Sequence, residues 1–243
     1  MTQTRGPEFL IATLARLIEG ARHIAVGASS PIPGSAALLV RRRSAGATRV
    51  TVLGSRINNA FTDGGRELFD CAAQGRIDVF FLGGGQIDGE ANINLVGTGG
   101  YPRSAVRFPG SFGSAYLYFL VPRVILFREE HSRRVFVPKV EFISAPGWSP
   151  PEVYRPGGPA ALLTSLCLFG YDRARHRFVL ESLHPGHTLE AVRDHTGFDF
   201  DVPDTVPTTP LPDAATLALI GEVGHEIAET YPQFAARLTG QAA

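Results

Sequence analysis

Short apolar runs and helical segments alternate between residues 23 and 82, at roughly 25–30 residues per unit. His23-Ile-Ala-Val-Gly27 and Arg49-Val-Thr-Val-Leu53 read as strands, and Ile77-Asp-Val-Phe-Phe-Leu82 as a third, apolar enough to be buried on both faces. Between them, Ser35–Arg43 and Gly65–Gln74 read as helices, the first opened by Pro33. Parallel strands cannot be joined by a tight turn and need a crossover, which helices of this length supply. The rhythm therefore confines the chain to an α/β fold, an open parallel or mixed sheet with helices on both faces.

The rest of the sequence extends that reading. Residues Pro7–Glu19 carry apolar side chains at 10, 11, 14, 17 and 18, a helical period that Gly20 stops. Arg123–Phe127, Val135–Ile143, Leu163–Phe169 and Phe178–Leu183 are strand-like, with few helices between them, and are expected to add a mixed portion to the sheet. Val202–Pro212 holds four prolines and reads as an extended connector, and Thr216–Ala228 closes as an amphipathic helix. With 243 residues and no internal repeat, one domain over 1–243 is expected.

Composition excludes several classes. Apolar residues make up 44% and charged residues 19%, which is inconsistent with a disordered chain. Zero net charge and a pI near 7.1 remove the footprint of a general nucleic-acid binder. Two cysteines, Cys71 and Cys167, make neither a disulfide framework nor a zinc site. Residues 1–7 lack the apolar run of a signal peptide, and no stretch reaches the ~18 apolar residues of a membrane span. A cytoplasmic location without membrane contact is expected. Charge is uneven along the chain: residues 1–56 hold eight arginines against two glutamates, and 178–243 hold ten acids against two arginines. Either these are solvated faces of one domain, or one face meets an anionic ligand or an acidic partner chain.

The strongest local signal is Phe81-Leu-Gly-Gly-Gly85-Gln-Ile-Asp88-Gly-Glu-Ala-Asn92-Ile-Asn94. Three glycines at the end of a buried strand permit close approach of a ligand to the backbone, or simply a tight turn. The third glycine of a dinucleotide fingerprint falls on Asp88, and no Gly-Lys-Ser/Thr of a phosphate loop occurs. A second element, Arg107-Phe-Pro109-Gly110-Ser-Phe-Gly113-Ser, precedes the helix-like Ala115–Leu120. Its N–H groups could face an anion or thioester oxygen, or it is a turn capped by Ser111 or Ser114. His184-Pro-Gly-His187 gives at most two ligands with no clustered Cys or carboxylate, so no metal is expected. Ser29, Ser30 and Ser55 lack the G-x-S-x-G elbow of a nucleophile.

Four patterns in order resemble the β subunit of two-subunit class I CoA-transferases of the glutaconate type, over nearly the whole chain. They are Gly84-Gly-Gln-Ile-Asp88 with Asn92-Ile-Asn94, and Pro109-Gly110-Ser-Phe-Gly113; then His131-x-x-Arg134-x-Phe136-Val-x-Lys139 running to Pro146-Gly147, and Leu183-His-Pro-Gly186 running to Thr196-Gly197-Phe198. Transferases of this family carry a glutamate just after the strand read here as Arg49–Leu53, and that carboxylate attacks the thioester. Here the stretch is Val52-Leu-Gly54-Ser55-Arg56, with no acid between Arg49 and Asp63. Gly54 occupies the place of the family glutamate, and neither glycine nor serine can form the glutamyl thioester.

A branch of the family that opens a CoA-linked steroid ring in cholesterol degradation also resembles this chain, through His184-Pro-Gly and Gln86-Ile-Asp88. Its β subunit likewise lacks the nucleophile, and the catalytic glutamate comes from the α subunit. The resemblance implies a β subunit paired with a CoA-transferase α-like chain as α2β2, processing an acyl-CoA. No permanently bound cofactor is implied; coenzyme A enters as part of the substrate. Hydrolytic C–C ring opening of a cyclic CoA thioester is the leading expectation, and CoA transfer between carboxylic acids the alternative. Ser55, Arg56 and Asn92 are candidate substrate residues. Gly84, Gly85 and Gln86 would line the thioester or acyl pocket, and N–H groups near Gly110 and Ser111 would hold CoA or an oxyanion. Arg56 would bind a substrate carboxylate, or is a surface arginine paired with Asp63 or solvent. A non-catalytic ligand-binding domain, of the kind found in repressor effector domains, is a third reading. The stretch before the first loop has room for only one helix and one strand, too little for a helix-turn-helix.

Overall fold

Helix α1 (Pro7–Ile18) starts on a proline, whose missing N–H costs nothing in the first turn, and Gly20 at φ +75° follows its end. Its buried face, Phe9, Leu10, Ile11, Leu14 and Ile18, follows the expected period, and each such side chain contributes about 1.5–3 kcal/mol on burial. The computed structural model describes residues 6–240 of the chain. The N-terminal segment assessed for a signal peptide therefore lies, in residues 1–5, outside the described residues. The described residues form two compact units, one of residues up to Phe81 with those from Pro210 onward, the other Leu82–Thr209.

The first unit continues with β1 (His23–Val26), α2 (Pro31–Arg43), β2 (Arg49–Val52), α3 (Gly64–Ala73) and β3 (Val79–Leu82). Strand β1 is central and parallel to both neighbours, with Ile24 opposite Val50 and Val79. The parallel α/β expectation holds here. One correction concerns α2, which opens at Pro31 and not at Ser35. Both prolines fall in the first turn, whose N–H groups have no intrahelical acceptor, and Gly34 N–H makes an early helical bond to Ser30 O at 2.8 Å.

The second unit begins with two small hairpins, β4 (Gln86–Ile87) with β5 (Ile93–Asn94) and β6 (Gly97–Thr98) with β7 (Val106–Arg107). Helix α4 (Ser114–Leu120) then leads to β8 (Arg123–Phe127), β9 (Pro159–Leu163), β10 (Cys167–Asp172), β11 (Arg177–Leu183) and α5 (Leu189–His195). β8 and β9 are parallel, while β9, β10 and β11 form an antiparallel meander, so the expected mixed portion is present. The chain then returns to the first unit as α6 (Ala214–Ile227) and α7 (Pro232–Leu238). No helix among the described residues is long and apolar enough to cross a membrane.

Two expected strands are corrected. Val135–Ile143 forms a single isolated bridge, Phe136 with Ile87, because Pro138 has no N–H to continue a ladder and beyond it Val140 N–H is claimed by Asp88 and Glu141 N–H by Gln86. Leu163–Phe169 is the bend of a hairpin. The Thr164 hydroxyl accepts from the N–H groups of Leu166 and Cys167, both at 3.2 Å, and turns the chain between β9 and β10. Helix α5, capped by the Thr188 hydroxyl on Ala191 N–H, and helix α7 have no counterpart in the sequence reading.

Candidate functional site

In the first unit, the loop after β2 carries Gly54, Ser55 and Arg56. Leu53 N–H donates to Val26 O at 2.9 Å, so the ladder reaches one residue past the strand before the chain turns. Gly54 makes that turn at φ +87°, in the left-handed region that favours glycine. A Cβ there would meet only Ala28 Cβ, at 3.6 Å, so the space beside it is open. Ser55 is buried; its hydroxyl donates to Glu229 Oε2 at 2.8 Å and accepts from Asn58 N–H at 3.0 Å. Arg56 N–H donates to Glu229 Oε1 at 2.9 Å, and the Thr230 hydroxyl donates to Oε2 at 2.7 Å. These bonds, from Thr230 first and then from Arg56 and Ser55, hold the Glu229 carboxyl below the usual carboxylate range.

Tyr231 acts on the neighbouring loop. Its hydroxyl donates to Ala28 O at 2.6 Å and accepts from Ser30 N–H at 3.2 Å, and burial raises its pKa. Residues 229–231, between α6 and α7, thus fasten the loops after both β1 and β2. These loops leave the carboxyl ends of parallel strands, where open α/β sheets bind ligands. Glu229 and Tyr231 carried no sequence signal. Arg56 is exposed, and its side chain makes no ion pair among the described residues; Asp63, its expected alternative partner, pairs with Arg66 at 3.2 Å. Part of the arginine surplus is met internally: Arg41 pairs with Glu226, and Arg42 with Glu222 (2.8 Å) and Glu226 (3.3 Å). Arg43 donates to the Thr216 hydroxyl at 2.6 Å.

In the second unit, the glycine-rich motif forms the β4–β5 hairpin. Gln86 Oε1 accepts from Asn94 Nδ2 (2.8 Å) and Glu141 N–H (3.1 Å), while its Nε2 donates to Glu141 Oε1 (3.0 Å). Asn92 donates to the Asp88 carboxylate through both its backbone N–H (3.0 Å) and Nδ2 (3.2 Å), and its Oδ1 accepts from Gly147 N–H at 3.1 Å. Burial raises the Asp88 pKa, and the hydrogen bonds from Asn92, Val140 and Glu90 partly offset that rise. Motif side chains that were candidates for substrate contact therefore bind the 135–147 segment to the hairpin. The glycines admit protein: a Cβ on Gly84 would meet Ile93 Cγ2 at 2.6 Å, and one on Gly85 would overlap the Phe108 ring. A cavity of about 670 Å³ opens on the Asp88–Asn92 side of the hairpin, also lined by Lys139, Arg177 and Phe198; Gly84, Gly85 and Gln86 do not line it.

The second glycine element is a turn. Gly110, at φ +103°, donates its N–H to Leu95 O at 3.0 Å, and Ser111 O accepts from Ser114 N–H at 2.7 Å. Gly113 caps α4 with no side-chain hydrogen bond, so neither Ser111 nor Ser114 caps the helix as the plain-turn reading supposed.

Of the three motif histidines of the second unit, His131 and His184 are buried and occupied, and His187 is half-buried. His184 contacts the Thr209 hydroxyl at 2.8 Å and Thr164 O at 3.0 Å. His131 lies between the hydroxyls of Thr164 (2.8 Å) and Thr196 (2.9 Å), and burial, with smaller effects of nearby histidines, lowers its pKa to about 3. Because the folded pKa lies below the unfolded one, the unfolded chain takes up the extra proton. Stability at neutral pH is therefore expected to fall as pH drops from about 6.5 toward about 3. His131→Gln should flatten that slope in urea titrations; an unchanged slope would mean that other groups carry it. Among the described residues, no group of three or more His, Cys, Asp or Glu is placed to hold a metal ion.

Comparison with known proteins places this geometry. The coenzyme A transferase family matches residues 1–195. The chain is 34% identical over 169 residues to one of the subunits of 3-oxoadipate CoA-transferase from Pseudomonas knackmussii, covering 63% of this chain and 65% of the relative. It is 29% identical over 175 residues to the cholesterol ring-cleaving hydrolase IpdB subunit of Rhodococcus jostii, covering 65% and 63%. The matched region thus spans less than two thirds of the length of either relative. The crystal structure of IpdAB from Rhodococcus jostii superposes with a TM-score of 0.80 at 25% identity, over 91% of this chain and 94% of that one. On the family match over most of its length, this chain belongs to the coenzyme A transferase family.

Proposed function

We propose that this chain is the β subunit of a heteromeric, cytoplasmic enzyme, α2β2 with a CoA-transferase α-like partner, that acts on an acyl-CoA. The reaction is hydrolytic C–C opening of a cyclic, steroid-derived CoA thioester, and the catalytic glutamate belongs to the partner. One observation carries this reading. The loop after β2 carries no acid before Asp63, and Gly54 turns there at a positive φ beside open space. Likeness to the ring-cleaving IpdB subunit supports it. Arg56, exposed and without an ion pair among the described residues, would receive a substrate carboxylate in the bidentate manner suited to its fork.

A second reading, CoA transfer between carboxylic acids, is favoured by the 34% identity to the 3-oxoadipate CoA-transferase chain. Covalent trapping separates the two. The assembled enzyme would be incubated with an acyl-CoA, treated with borohydride or hydroxylamine, and its peptides weighed. No adduct is expected on this chain; a glutamyl adduct here would replace the hydrolase reading with transfer.

A further inference from the structure

We propose that Glu229 is a positioning residue, which fixes Ser55 and Arg56 on the ligand side of β2 so that the Arg56 guanidinium is presented to the substrate. The inference rests on the proposed binding role of Arg56 and deepens it.

The loop from Leu53 to Asn58 has little to hold it from within. Ser55 N–H bonds to Val52 O, Val52 N–H to Asn58 O, and Asn58 N–H to the Ser55 hydroxyl. The two ends of the loop are held from outside, Leu53 N–H by Val26 O and the Asn58 Oδ1 by Arg41, while its middle is anchored from 173 residues away, where one carboxylate takes the Arg56 N–H on Oε1 and the Ser55 hydroxyl on Oε2. Both oxygens accept, and Thr230 adds a third donor. A carboxylate suits that set, because an amide would offer one acceptor and turn its own N–H groups toward donors. Glu229 is exposed and buries no core surface, so packing does not explain its place. Its mount is firm: α6 is tied to α2 by Arg41–Glu226 and Arg42–Glu222, and Tyr231 grips the loop after β1. The Arg56 side chain springs from the backbone unit that Glu229 holds. Fixing that root lowers the ordering cost when the guanidinium meets an anion.

The test uses the assembled heteromer and two probes, glutaryl-CoA, which carries a free carboxylate, and butyryl-CoA, which does not. Calorimetry should show tighter binding of glutaryl-CoA, and Arg56→Met should erase the difference. Glu229→Ala should weaken glutaryl-CoA by about tenfold while leaving butyryl-CoA and the Tm nearly unchanged. Glu229→Gln, keeping one acceptor, should recover part of the loss. If Arg56→Met erases the preference but Glu229→Ala leaves it intact, positioning is refuted and the role of Arg56 stands. No preference in the unmodified enzyme, or one that survives Arg56→Met, overturns both. Equal weakening of both probes together with a lower Tm makes Glu229 a structural residue only. A covalent adduct on Glu229 would make it a nucleophile and would also overturn the proposal.

Discussion

Purified without a partner, this chain should turn over no acyl-CoA thioester, with activity lower than that of the assembled enzyme by a factor on the order of 10⁴ or more. The expectation follows from the state of the side chains in and around the loop after β2 and of the buried histidines and Cys167. The loop after β2 has no acid between Arg49 and Asp63. The Glu229 oxygens already accept from Ser55, Arg56 and Thr230, and its lowered pKa makes it a weak base toward the Ser55 hydroxyl. His131 and His184 are buried with both ring nitrogens engaged. The Cys167 thiol is buried, and that burial pushes its pKa up to about 12, which leaves almost no thiolate at neutral pH. None of these groups is an activated nucleophile. Conversion of a ring-bearing CoA ester to its ring-opened, hydrated CoA ester, followed by mass while an α-like partner is titrated in, should rise from baseline and saturate at equal stoichiometry. Turnover by a preparation shown to be free of partner would refute the heteromeric reading.

What could be read in the sequence depended on whether a structure was made by neighbours along the chain. The parallel units of residues 23–82 were legible because each apolar run is bounded by glycine, proline or polar residues, and local pattern decides strand or helix there. Val135–Ile143 was not, because past Pro138 its course is set by Asp88 and Gln86, two buried side chains some 50 residues away that take the N–H groups of Val140 and Glu141. The same limit applies to the site. The three glycines announced that something comes close, but nothing local identified it as the Phe108 ring at Gly85. Gly54, Ser55 and Arg56 could be singled out by the absence of an acid. Glu229, which orders them, lies 173 residues beyond Arg56 and carries no motif. Charge asymmetry was the one long-range hint, since the arginines of α2 and the acids of α6 do meet.

Placing a glutamate at Gly54 should not create CoA transfer, and should cost the enzyme its ring-bearing substrates first. Gly54 sits at φ +87°, where an L-residue is strained by about 1–3 kcal/mol, so the Tm should fall by a few degrees without unfolding the chain. The new Cβ would meet only Ala28 Cβ at 3.6 Å, ordinary contact, which lets the side chain extend into the open space. The added carboxylate would follow the chain next to Ser55, whose hydroxyl bonds Glu229, and a like charge nearby raises a carboxylate's pKa, the wrong direction for a nucleophile. Attack also needs a near-attack distance of about 3–3.5 Å and an oxyanion site, which one added carboxylate does not supply. If the space at Gly54 receives a fused-ring acyl group, Gly54→Glu removes that volume and leaves short acyl chains room. The kcat/KM for ring-bearing CoA esters should then drop more than that for short ones, by about tenfold or greater, the cost of overpacking by roughly 1–3 kcal/mol. Equal losses on both would separate Gly54 from substrate size, and the hydrolase reading would lose its physical argument. A new glutamyl adduct at position 54, with transfer to an acceptor acid, would mean that this loop still holds a transferase site lacking only its carboxylate.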